Sequence, residues 1–301
     1  MNIMFLFVPP AKKGMVFLKK FFTRQENKFS HLKNCLPLRL AKPWYYLLTI
    51  KMGAPPVSLE PDPEAVEFFT RNAGRVEAVA SLLADEQSKQ TFRQCCRFRQ
   101  TRDRRDCPRY DWRLQYFSAF RFQPGEVFVD CGAFTGDSMD DFIRHCPRYK
   151  QIVAFEPDAK NFALLQTKHG ATRGATLVNS GVYDREVETF FAGYGVGGKI
   201  TENHRAGAAG IRTSTIDSLG LDKITFIKMD IEGGELDALK GAEKTILRDT
   251  PKLAVCIYHS HEDMLRIAEY LHALVPKYRL RVKHHHCYPF CLETVLYANI
   301  P

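Results

Sequence analysis

Glycine and acidic residues follow two apolar runs in the middle of the chain. The first run leads into Asp130, and Gly132 and Gly136 stand four positions apart in the segment after it. Glycine lets the backbone turn tightly and approach a ligand where a Cβ atom would clash. The second run leads into Glu156, and a carboxylate at this position can accept hydrogen bonds from both hydroxyls of a ribose. The pattern of strand, glycine loop, helix, strand and acid therefore predicts a site for a cofactor that contains a nucleoside.

Two classes of cofactor are compatible with this glycine loop. A dinucleotide site typically has the spacing Gly-x-Gly-x-x-Gly, which seats a pyrophosphate on the N-terminus of the following helix. Here the spacing is Gly-x-x-x-Gly and Asp137 stands near the helix start, and both features disfavour a pyrophosphate. The ammonium and sulfonium groups of S-adenosylmethionine are positively charged, so Asp130 favours this cofactor over NAD. A structural β-α-β unit with an incidental glycine turn is the remaining interpretation.

The elements that would position these residues follow from the pattern of apolar residues. From residue 123 onwards, short apolar runs alternate with amphipathic segments, which predicts an α/β fold with a mostly parallel, doubly wound sheet. The last two strands have no helix between them, which predicts an antiparallel hairpin at the C-terminal edge. The predicted strands are 127–131, 152–155, 176–179, 188–191, 225–229, 253–258, 280–283 and 294–297.

The sequence before the sheet predicts two further segments. Apolar residues recur at spacings of three and four between Val66 and Leu83, which is the pattern of an amphipathic helix, and helical sequence continues over 85–99. We expect residues 58–122 to form a small helical cap and residues 123–301 to form the cofactor-binding domain. Residues 1–57 are expected to form an N-terminal extension that is partly disordered.

Five stretches of the sequence resemble the FkbM family of S-adenosylmethionine-dependent methyltransferases. They are VFVDCGAFTGDS (127–138), AFEPD (154–158), NSGVYD (179–184), STIDSL (214–219) and FIKMDIEGGELDALKGA (226–242). The most distinctive string is Lys-x-Asp-x-Glu-Gly-x-Glu, which is intact from Lys228 to Glu235. The resemblance covers 123–301 and implies a class I methyltransferase (Rossmann-like) fold. It also implies methyl transfer, usually to a hydroxyl oxygen of a sugar, glycan or sugar-bearing metabolite.

Residues and resemblance together predict one cofactor site and one acceptor cleft. The predicted S-adenosylmethionine-binding residues are Asp130, Gly132, Phe134, Thr135, Gly136, Glu156, Pro157, Ser180 and Gly181. On the acceptor side, Asp230 follows the strand 225–229, Glu232 comes two residues later, and His259 closes the next strand. Because the carboxyl ends of parallel strands meet at one edge of a sheet, these three side chains should converge.

Three interpretations of the acceptor cleft remain open. A hydroxyl acceptor must lose its proton, so Asp230 or His259 can be the general base while Glu232 orients the acceptor. Alternatively, Asp230, Glu232 and His259 hold a divalent cation, since mixed carboxylate and imidazole ligands suit Mg, Mn or Fe. In the third interpretation, Glu232 and Glu235 cap the following helix, because carboxylates favour that end. Capping is compatible with either function.

Two other clusters have no assigned role. The adjacent histidines 284–286 precede Cys287 and Cys291, but structural zinc usually has two well-separated ligand pairs on turns. Two other interpretations of these histidines are that one of them faces the acceptor cleft, or that they form a solvated strand end. The glycine-rich segment Gly193–Gly198 is not followed by the Lys-Ser/Thr pair of a phosphate-binding loop. It predicts either a flexible lid that includes Lys199–Gly210 or a long hairpin connection.

The net charge of +9 raises a second function, methyl transfer to nucleic acid. An enzyme that acts on bases ordinarily carries an Asn/Asp-Pro-Pro-aromatic string or a catalytic Pro-Cys pair, and the sequence has neither. The arginines from Arg97 to Arg113 are interspersed with Asp103, Asp106 and Asp111, which favours a solvated helix face over a basic patch. The expected partner is therefore a small-molecule or glycan acceptor, and NAD-dependent oxidation or reduction is disfavoured.

Cysteine usage and apolar runs bear on the cellular compartment. The nine cysteines are odd in number and irregularly spaced, which favours reduced thiols over a disulfide framework. Pro9 and Pro10 break the N-terminal apolar stretch, which lacks the charge order of a secretory signal. No run approaches the roughly 20 apolar residues that span a bilayer. We therefore expect a cytoplasmic enzyme.

Overall fold

The computed structural model describes residues 60–192, 199–201, 209–286 and 292–301. All of the described residues belong to one compact unit, Ser58–Pro301. The predicted N-terminal extension lies outside the described residues. Within the part of the chain that is described, no helix combines the length and the apolar character needed to cross a membrane.

From residue 60 to the start of the sheet, the described chain forms three α-helices: α1 (Pro63–Arg71), α2 (Ala73–Leu82) and α3 (Glu86–Thr101). The apolar pattern between Val66 and Leu83 predicts one helix here, and the structure has two. Asn72 separates them, and its side-chain amide donates a hydrogen bond to the Phe68 carbonyl at 2.9 Å. Asparagine competes in this way for backbone partners, which is why it favours helix ends over helix interiors.

The described residues also form eleven strands: β1 (Val127–Cys131), β2 (Gln151–Phe155), β3 (Ala175–Val178), β4 (Gly181–Val182), β5 (Glu188–Ala192), β6 (Lys199–Thr201), β7 (Ala209–Ser214), β8 (Phe226–Met229), β9 (Lys252–Cys256), β10 (Arg279–His284) and β11 (Thr294–Asn299). Seven of them make one sheet in the order β3-β2-β1-β8-β9-β11-β10. β11 is antiparallel to both of its neighbours, and the remaining pairs are parallel. This confirms the doubly wound α/β fold with an antiparallel hairpin at its C-terminal edge.

Helices alternate with the strands of the main sheet: α4 (Asp137–His145), α5 (Ala159–His169), α6 (Glu235–Lys240), α7 (Glu243–Asp249) and α8 (His261–Leu274). The helical pattern after β8 predicts one helix, whereas the structure has α6 and α7 with a break at Gly241. A Cβ atom at Gly241 would lie 2.0 Å from the Tyr183 carbonyl oxygen. The chain therefore passes another segment closely at this position, and glycine is required there.

A second sheet, in the order β4-β7-β5-β6, was absent from the sequence-based prediction apart from β5. Lys199–Gly210 was predicted to belong to a loop, but Lys199–Thr201 is β6 and β7 begins at Ala209. These strands are held by pairing with β5, to which both are antiparallel. β6, which has three residues, is too short for a clear alternating pattern. The glycine-rich segment Gly193–Gly198 lies outside the described residues.

The core occupies both faces of the main sheet. Val127, Val129 and Cys131 of β1 pack on one face with the three N-terminal helices and α8. Phe128 packs on the other face, where its ring centroid lies 4.9 Å from that of Phe226 and 4.4 Å from that of Phe142. β1 and β8 are therefore buried on both sides, as central parallel strands are. Their carboxyl ends lie where the strand order reverses, which is where ligands bind in open α/β sheets.

Candidate active site

The loop after β1 contains two glycines with left-handed backbone. Gly132 has φ +79° and Gly136 has φ +89°. A Cβ atom on Gly132 would lie 2.1 Å from the Asp230 carbonyl oxygen, and one on Gly136 would lie 2.3 Å from the His169 ring. The tight turn expected from the sequence is present. The atoms that would clash belong to Asp230, directly after β8, and to His169 of α5. These two glycines therefore allow the loop to pack closely against the neighbouring elements of the protein.

Glu156 follows β2 and ties the glycine loop to the start of α5. Its Oε2 atom accepts a hydrogen bond from Phe134 N at 2.9 Å, and Oε1 accepts one from Asp158 N at 3.0 Å. Glu156 is 5% exposed, and burial raises the pKa of its carboxyl. A carboxylate can accept about four hydrogen bonds, so Oε2 retains capacity for a hydroxyl donor. Thr135 and Pro157 are half-buried beside it.

Asp130 and Lys228 form a buried ion pair beneath the loop. Asp130 is fully buried and Lys228 is 3% exposed, with 3.1 Å between Oδ1 and Nζ. Nζ also donates to the Gly132 carbonyl at 2.7 Å, and the Ser138 hydroxyl donates to Asp130. Burial lowers the pKa of Lys228, but the charge of Asp130 outweighs this effect and raises the pKa above its ordinary value. Asp130 therefore supports the loop from within the protein, and the ammonium group of Lys228 neutralises the charge of the Asp130 carboxylate.

Ser180 and Gly181 connect the cofactor side to the second sheet. Ser180 is 4% exposed, and its hydroxyl lies 2.9 Å from Ser214 Oγ and donates to the Arg212 carbonyl at 3.0 Å. Gly181 begins β4 and pairs with β7. Asn179, which the sequence did not single out, donates to the Glu156 carbonyl at 2.8 Å. The segment 179–181 thus helps to hold the backbone at Glu156 in place.

Four side chains meet at the carboxyl ends of β8 and β9. His259 lies among three carboxylates: Nδ1 is 2.9 Å from Glu235 Oε1, and Nε2 is 3.4 Å from Asp230 Oδ1 and 3.8 Å from Glu232 Oε2. The side chain of His259 is 6% exposed. Burial lowers its pKa, but Glu235 and then Asp230 outweigh burial and raise the pKa to about 9. The predicted convergence of Asp230, Glu232 and His259 is therefore present, with Glu235 as a fourth member.

Glu235 has two contacts in this cluster. It is fully buried as the first residue of α6, and Oε1 accepts a hydrogen bond from Ile231 N at 2.8 Å. The same oxygen faces His259. The helix has Gly234 as its N-cap and no side-chain cap, so the capping that the sequence suggested is not observed, and Glu235 instead holds the turn at Ile231. Glu232 stands in the turn before α6 with φ +60° and is 29% exposed at its side chain.

Two tyrosine hydroxyls hold the Asp230 carboxylate, and sequence reasoning missed both. Tyr116 donates to Oδ2 at 2.7 Å, and Tyr258 donates to Oδ1 at 3.1 Å. Burial raises the pKa of Asp230, but the cations of Lys228 and His259 outweigh it and leave the pKa below its ordinary value. The Asp230 side chain is 22% exposed. It is therefore an oriented, ionised carboxylate that retains access to the cleft.

Tyr116 reaches Asp230 from a segment that precedes the sheet. Its backbone has φ +68°, an uncommon conformation for a residue other than glycine. Its N–H donates to the Tyr297 hydroxyl at 3.2 Å, and that hydroxyl lies 2.8 Å from His285 Nε2. No local pattern marks Tyr116 in the sequence. Tyr258 was detectable only as a neighbour of His259.

The histidine cluster is part of this support. His284 is 1% exposed with Nδ1 2.9 Å from Thr294 Oγ1, and His285 is 6% exposed with Nδ1 3.0 Å from the Asp111 carbonyl oxygen. A solvated strand end is therefore the wrong description. His285 contacts the cleft through Tyr297 and not directly. Cys287 and Cys291 lie outside the described residues.

The arginine cluster is largely paired with its acidic neighbours, as the sequence suggested. Arg97, Arg105 and Arg113 form ion pairs with Asp106, Asp103 and Asp111 respectively, at 2.5–2.9 Å. Arg99 differs, because it is 5% exposed and donates to the Tyr258 carbonyl at 2.5 Å. It thereby joins α3 to the backbone beside His259. The cluster therefore contributes one structural residue to the site.

Comparison with known proteins agrees with this architecture. Residues 130–279 match the family model described as methyltransferase FkbM domain. The chain is similar to the structure of methyltransferase FkbM from Methylobacillus flagellatus KT, with 30% sequence identity, a TM-score of 0.66, and coverage of 77% of this chain and 60% of that one. The chain thus spans about 60% of the length of that relative.

Other solved structures are more distant. An rRNA methylase from Streptococcus thermophilus matches with 13% identity, a TM-score of 0.41, and coverage of 60% of this chain and 90% of that one. Fibrillarin from Aeropyrum pernix, solved with natively bound S-adenosyl-L-methionine, matches with 12% identity, a TM-score of 0.37, and coverage of 62% and 71%. None of the curated proteins matches the chain. Residues 130–279 of this chain therefore form a methyltransferase FkbM domain.

Proposed function

We propose that this protein transfers a methyl group from S-adenosylmethionine to a hydroxyl of a sugar, a glycan or a sugar-bearing metabolite. The match of residues 130–279 to the methyltransferase FkbM domain supports the methyl-transfer reaction. The observation that carries the proposal is the contact between the two halves of the site. Gly132 of the cofactor loop lies directly against the backbone of Asp230, where a Cβ atom would come within 2.1 Å of the Asp230 carbonyl oxygen. A cofactor seated on the loop would therefore lie beside the Asp230 carboxylate.

On the cofactor side, Glu156 is the residue that would bind the ribose. Its carboxylate is fixed by Phe134 N and Asp158 N, so it needs no reorganisation to accept hydroxyl donors. The ion pair of Asp130 and Lys228 holds the loop carbonyls and leaves the loop without an uncompensated buried charge. S-adenosylmethionine supplies an electrophilic methyl group when it is bound.

On the acceptor side, Asp230 is the residue that would receive the hydroxyl proton. Tyr116 and Tyr258 fix its orientation, and alignment of a reacting group can supply a large part of a rate enhancement. Glu232, which is exposed at the edge of the same cleft, would hold another hydroxyl of the acceptor. A polyhydroxylated acceptor is matched by this arrangement, because several carboxylate oxygens face one cleft.

The cofactor half of the proposal is tested by calorimetry with S-adenosylmethionine and with NAD. Glu156→Ala should weaken S-adenosylmethionine binding at least about tenfold, since hydrogen bonds to a charged group contribute about 1.5–3 kcal/mol. Glu186→Ala, at an exposed position, is the control and should bind as the unmodified protein does. Tighter binding of NAD than of S-adenosylmethionine would contradict the proposal.

The acceptor half is tested with methyl-labelled S-adenosylmethionine and two panels, one of sugars and glycans and one of RNA and DNA. Label should enter the carbohydrate panel. Asp230→Asn should lower turnover about 100-fold or more, as loss of a general base does, while the Kd of S-adenosylmethionine stays within about twofold. Label that enters only nucleic acid would replace the proposed acceptor with the nucleic-acid alternative.

A further inference from the structure

We propose that Asp230, Glu235 and His259 form a binding site for a divalent cation of the Mn²⁺ or Mg²⁺ type, with one ligand atom from each side chain. Candidate ligand atoms of these three residues all lie within 4.8 Å of one another. The set contains two carboxylates and one imidazole and no thiolate. Carboxylate oxygens suit Mg²⁺ and Mn²⁺, and the imidazole extends the range towards the transition metals.

The spacing of these atoms matches the ligand spacing around a small cation. In an octahedron with bonds of about 2.1 Å, adjacent ligands are roughly 3.0 Å apart and opposite ligands roughly 4.2 Å apart. The candidate ligand atoms of Asp230, Glu235 and His259 lie within 4.8 Å of one another, which is close to the distance between opposite ligands. Glu235 faces Nδ1 of His259 and Asp230 faces Nε2, and only one ring nitrogen can bind the cation, so one of the two carboxylates would turn towards that nitrogen.

A buried atom without a hydrogen bond points to a ligand at the same place. Among the described residues, Glu235 Oε2 is such an atom, and the Glu235 side chain is fully buried. Each ring nitrogen of His259 already faces a carboxylate oxygen. Buried polar atoms are nearly always satisfied in folded proteins, so Glu235 Oε2 needs a partner such as an ion.

The charge of the cluster favours a cation. Asp230, Glu232 and Glu235 bring three carboxylates around one imidazole. Lys228, which pairs with Asp130, and the protonated His259 carry the positive charges that face these carboxylates. Carboxylates this close repel one another, and a divalent ion that replaced the His259 proton would bring one more positive charge between them.

The same observations favour Glu235 over Glu232 as the third ligand. The sequence alone suggested Asp230, Glu232 and His259. Glu232, however, is 29% exposed, and its nearest carboxylate oxygen is 3.8 Å from His259 Nε2, compared with 2.9 Å between Glu235 and Nδ1. The Glu235→Gln variant could still accept the hydrogen bond from Ile231 N, so the two glutamates can be tested separately.

The mechanistic consequence rests on the proposed function. A cation at this site would touch the Asp230 carboxylate, which is the group proposed to receive the acceptor proton. A hydroxyl bound beside a divalent cation loses its proton more readily. The cation and Asp230 would then act on the same hydroxyl. Binding of the metal alone, without S-adenosylmethionine or acceptor, can be measured whether or not the chain transfers methyl groups.

The experiment uses the full chain, stripped with a chelator and titrated with Mn²⁺ while free Mn²⁺ is followed by electron paramagnetic resonance. We expect one tight site, with affinity lowered at least about tenfold in Glu235→Gln and in His259→Gln. Asp237→Asn, two positions on in the same helix and partly exposed, is the matched control and should bind as the unmodified protein does. Glu232→Gln should retain most of the affinity. Circular dichroism of each variant establishes that it is folded.

Pulsed electron paramagnetic resonance of Mn²⁺ bound to the unmodified chain gives a readout that needs no variant. Coupling to an imidazole nitrogen is expected. Absence of stoichiometric binding, absence of this coupling, or full affinity in Glu235→Gln would each overturn the proposal. A larger loss in Glu232→Gln than in Glu235→Gln would overturn the assignment of Glu235 and restore Glu232 as the ligand.

Discussion

Lys228→Met removes the cation from the buried pair beneath the cofactor loop, and its cost can be worked out from the structure. Lys228 is 3% exposed, Asp130 is fully buried, and 3.1 Å separates the charged atoms. Methionine has a similar length and fills the apolar part of the same space. It leaves the Asp130 carboxylate buried with no positive partner, and it leaves the Gly132 carbonyl without the hydrogen bond from Nζ.

Removal of one partner from a buried ion pair typically costs about 3–5 kcal/mol. We expect Lys228→Met to lower the free energy of unfolding by this amount, which corresponds to a fall in Tm of roughly 10 °C for a domain of this size. The assay is urea denaturation followed by circular dichroism at 25 °C. Lys240→Met is the matched control, because Lys240 pairs with Asp237 at 2.7 Å but both side chains are exposed by more than a third. Its cost should stay below about 1 kcal/mol.

A double-mutant cycle with Asp130→Asn isolates the pair itself. The double variant should lose less stability than the sum of the two single variants, by at least about 1 kcal/mol, because no unpaired charge remains. The reasoning would be refuted if the free energy of unfolding of Lys228→Met lay within 1 kcal/mol of that of the unmodified protein and equalled that of Lys240→Met. In that case the loop would not depend on a buried ion pair.

Three further predictions follow from single contacts. Gly132→Ala should strongly reduce the yield of folded protein, because the backbone has φ +79° and a Cβ atom would lie 2.1 Å from the Asp230 carbonyl oxygen. The control is Gly74→Ala in α2, where a Cβ atom would enter open space, and this variant should keep or slightly raise the Tm. Tyr116→Phe removes one hydrogen bond to the Asp230 carboxylate, which contributes about 1.5–3 kcal/mol, and should lower methyl-transfer turnover about tenfold. The Kd of S-adenosylmethionine measured by calorimetry should not change, and an equal loss of cofactor binding would contradict this prediction. Burial lowers the pKa of His284 from 6.5 to about 3, so His284 takes up a proton at a higher pH in the unfolded chain than in the folded protein. The free energy of unfolding should therefore fall as the pH drops from 6.5 towards 3. Urea titrations of His284→Gln should show a shallower fall.

Much of the fold was predictable from the sequence because it depends on local patterns. Buried parallel strands such as β1 and β8 are continuous apolar runs, and their alternation with helices specifies a doubly wound sheet. The short strands β4, β6 and β7 were not predictable, since their stability comes from pairing with β5 and with one another. The helix breaks at Asn72 and Gly241 also depended on single contacts that interrupt an otherwise helical pattern.

For the site, the sequence by itself determined which residues stand at the carboxyl ends of the strands. Glu156, Asp230 and His259 follow apolar runs, and the topology of a parallel sheet places such positions at one edge. The tertiary structure alone decided what each of them contacts. Tyr116 meets Asp230 across a separation of 114 residues, and Asp130 turns inward to Lys228 instead of outward. Backbone pattern is set by neighbours in the chain, whereas side-chain partners and the resulting protonation states are set by neighbours in space.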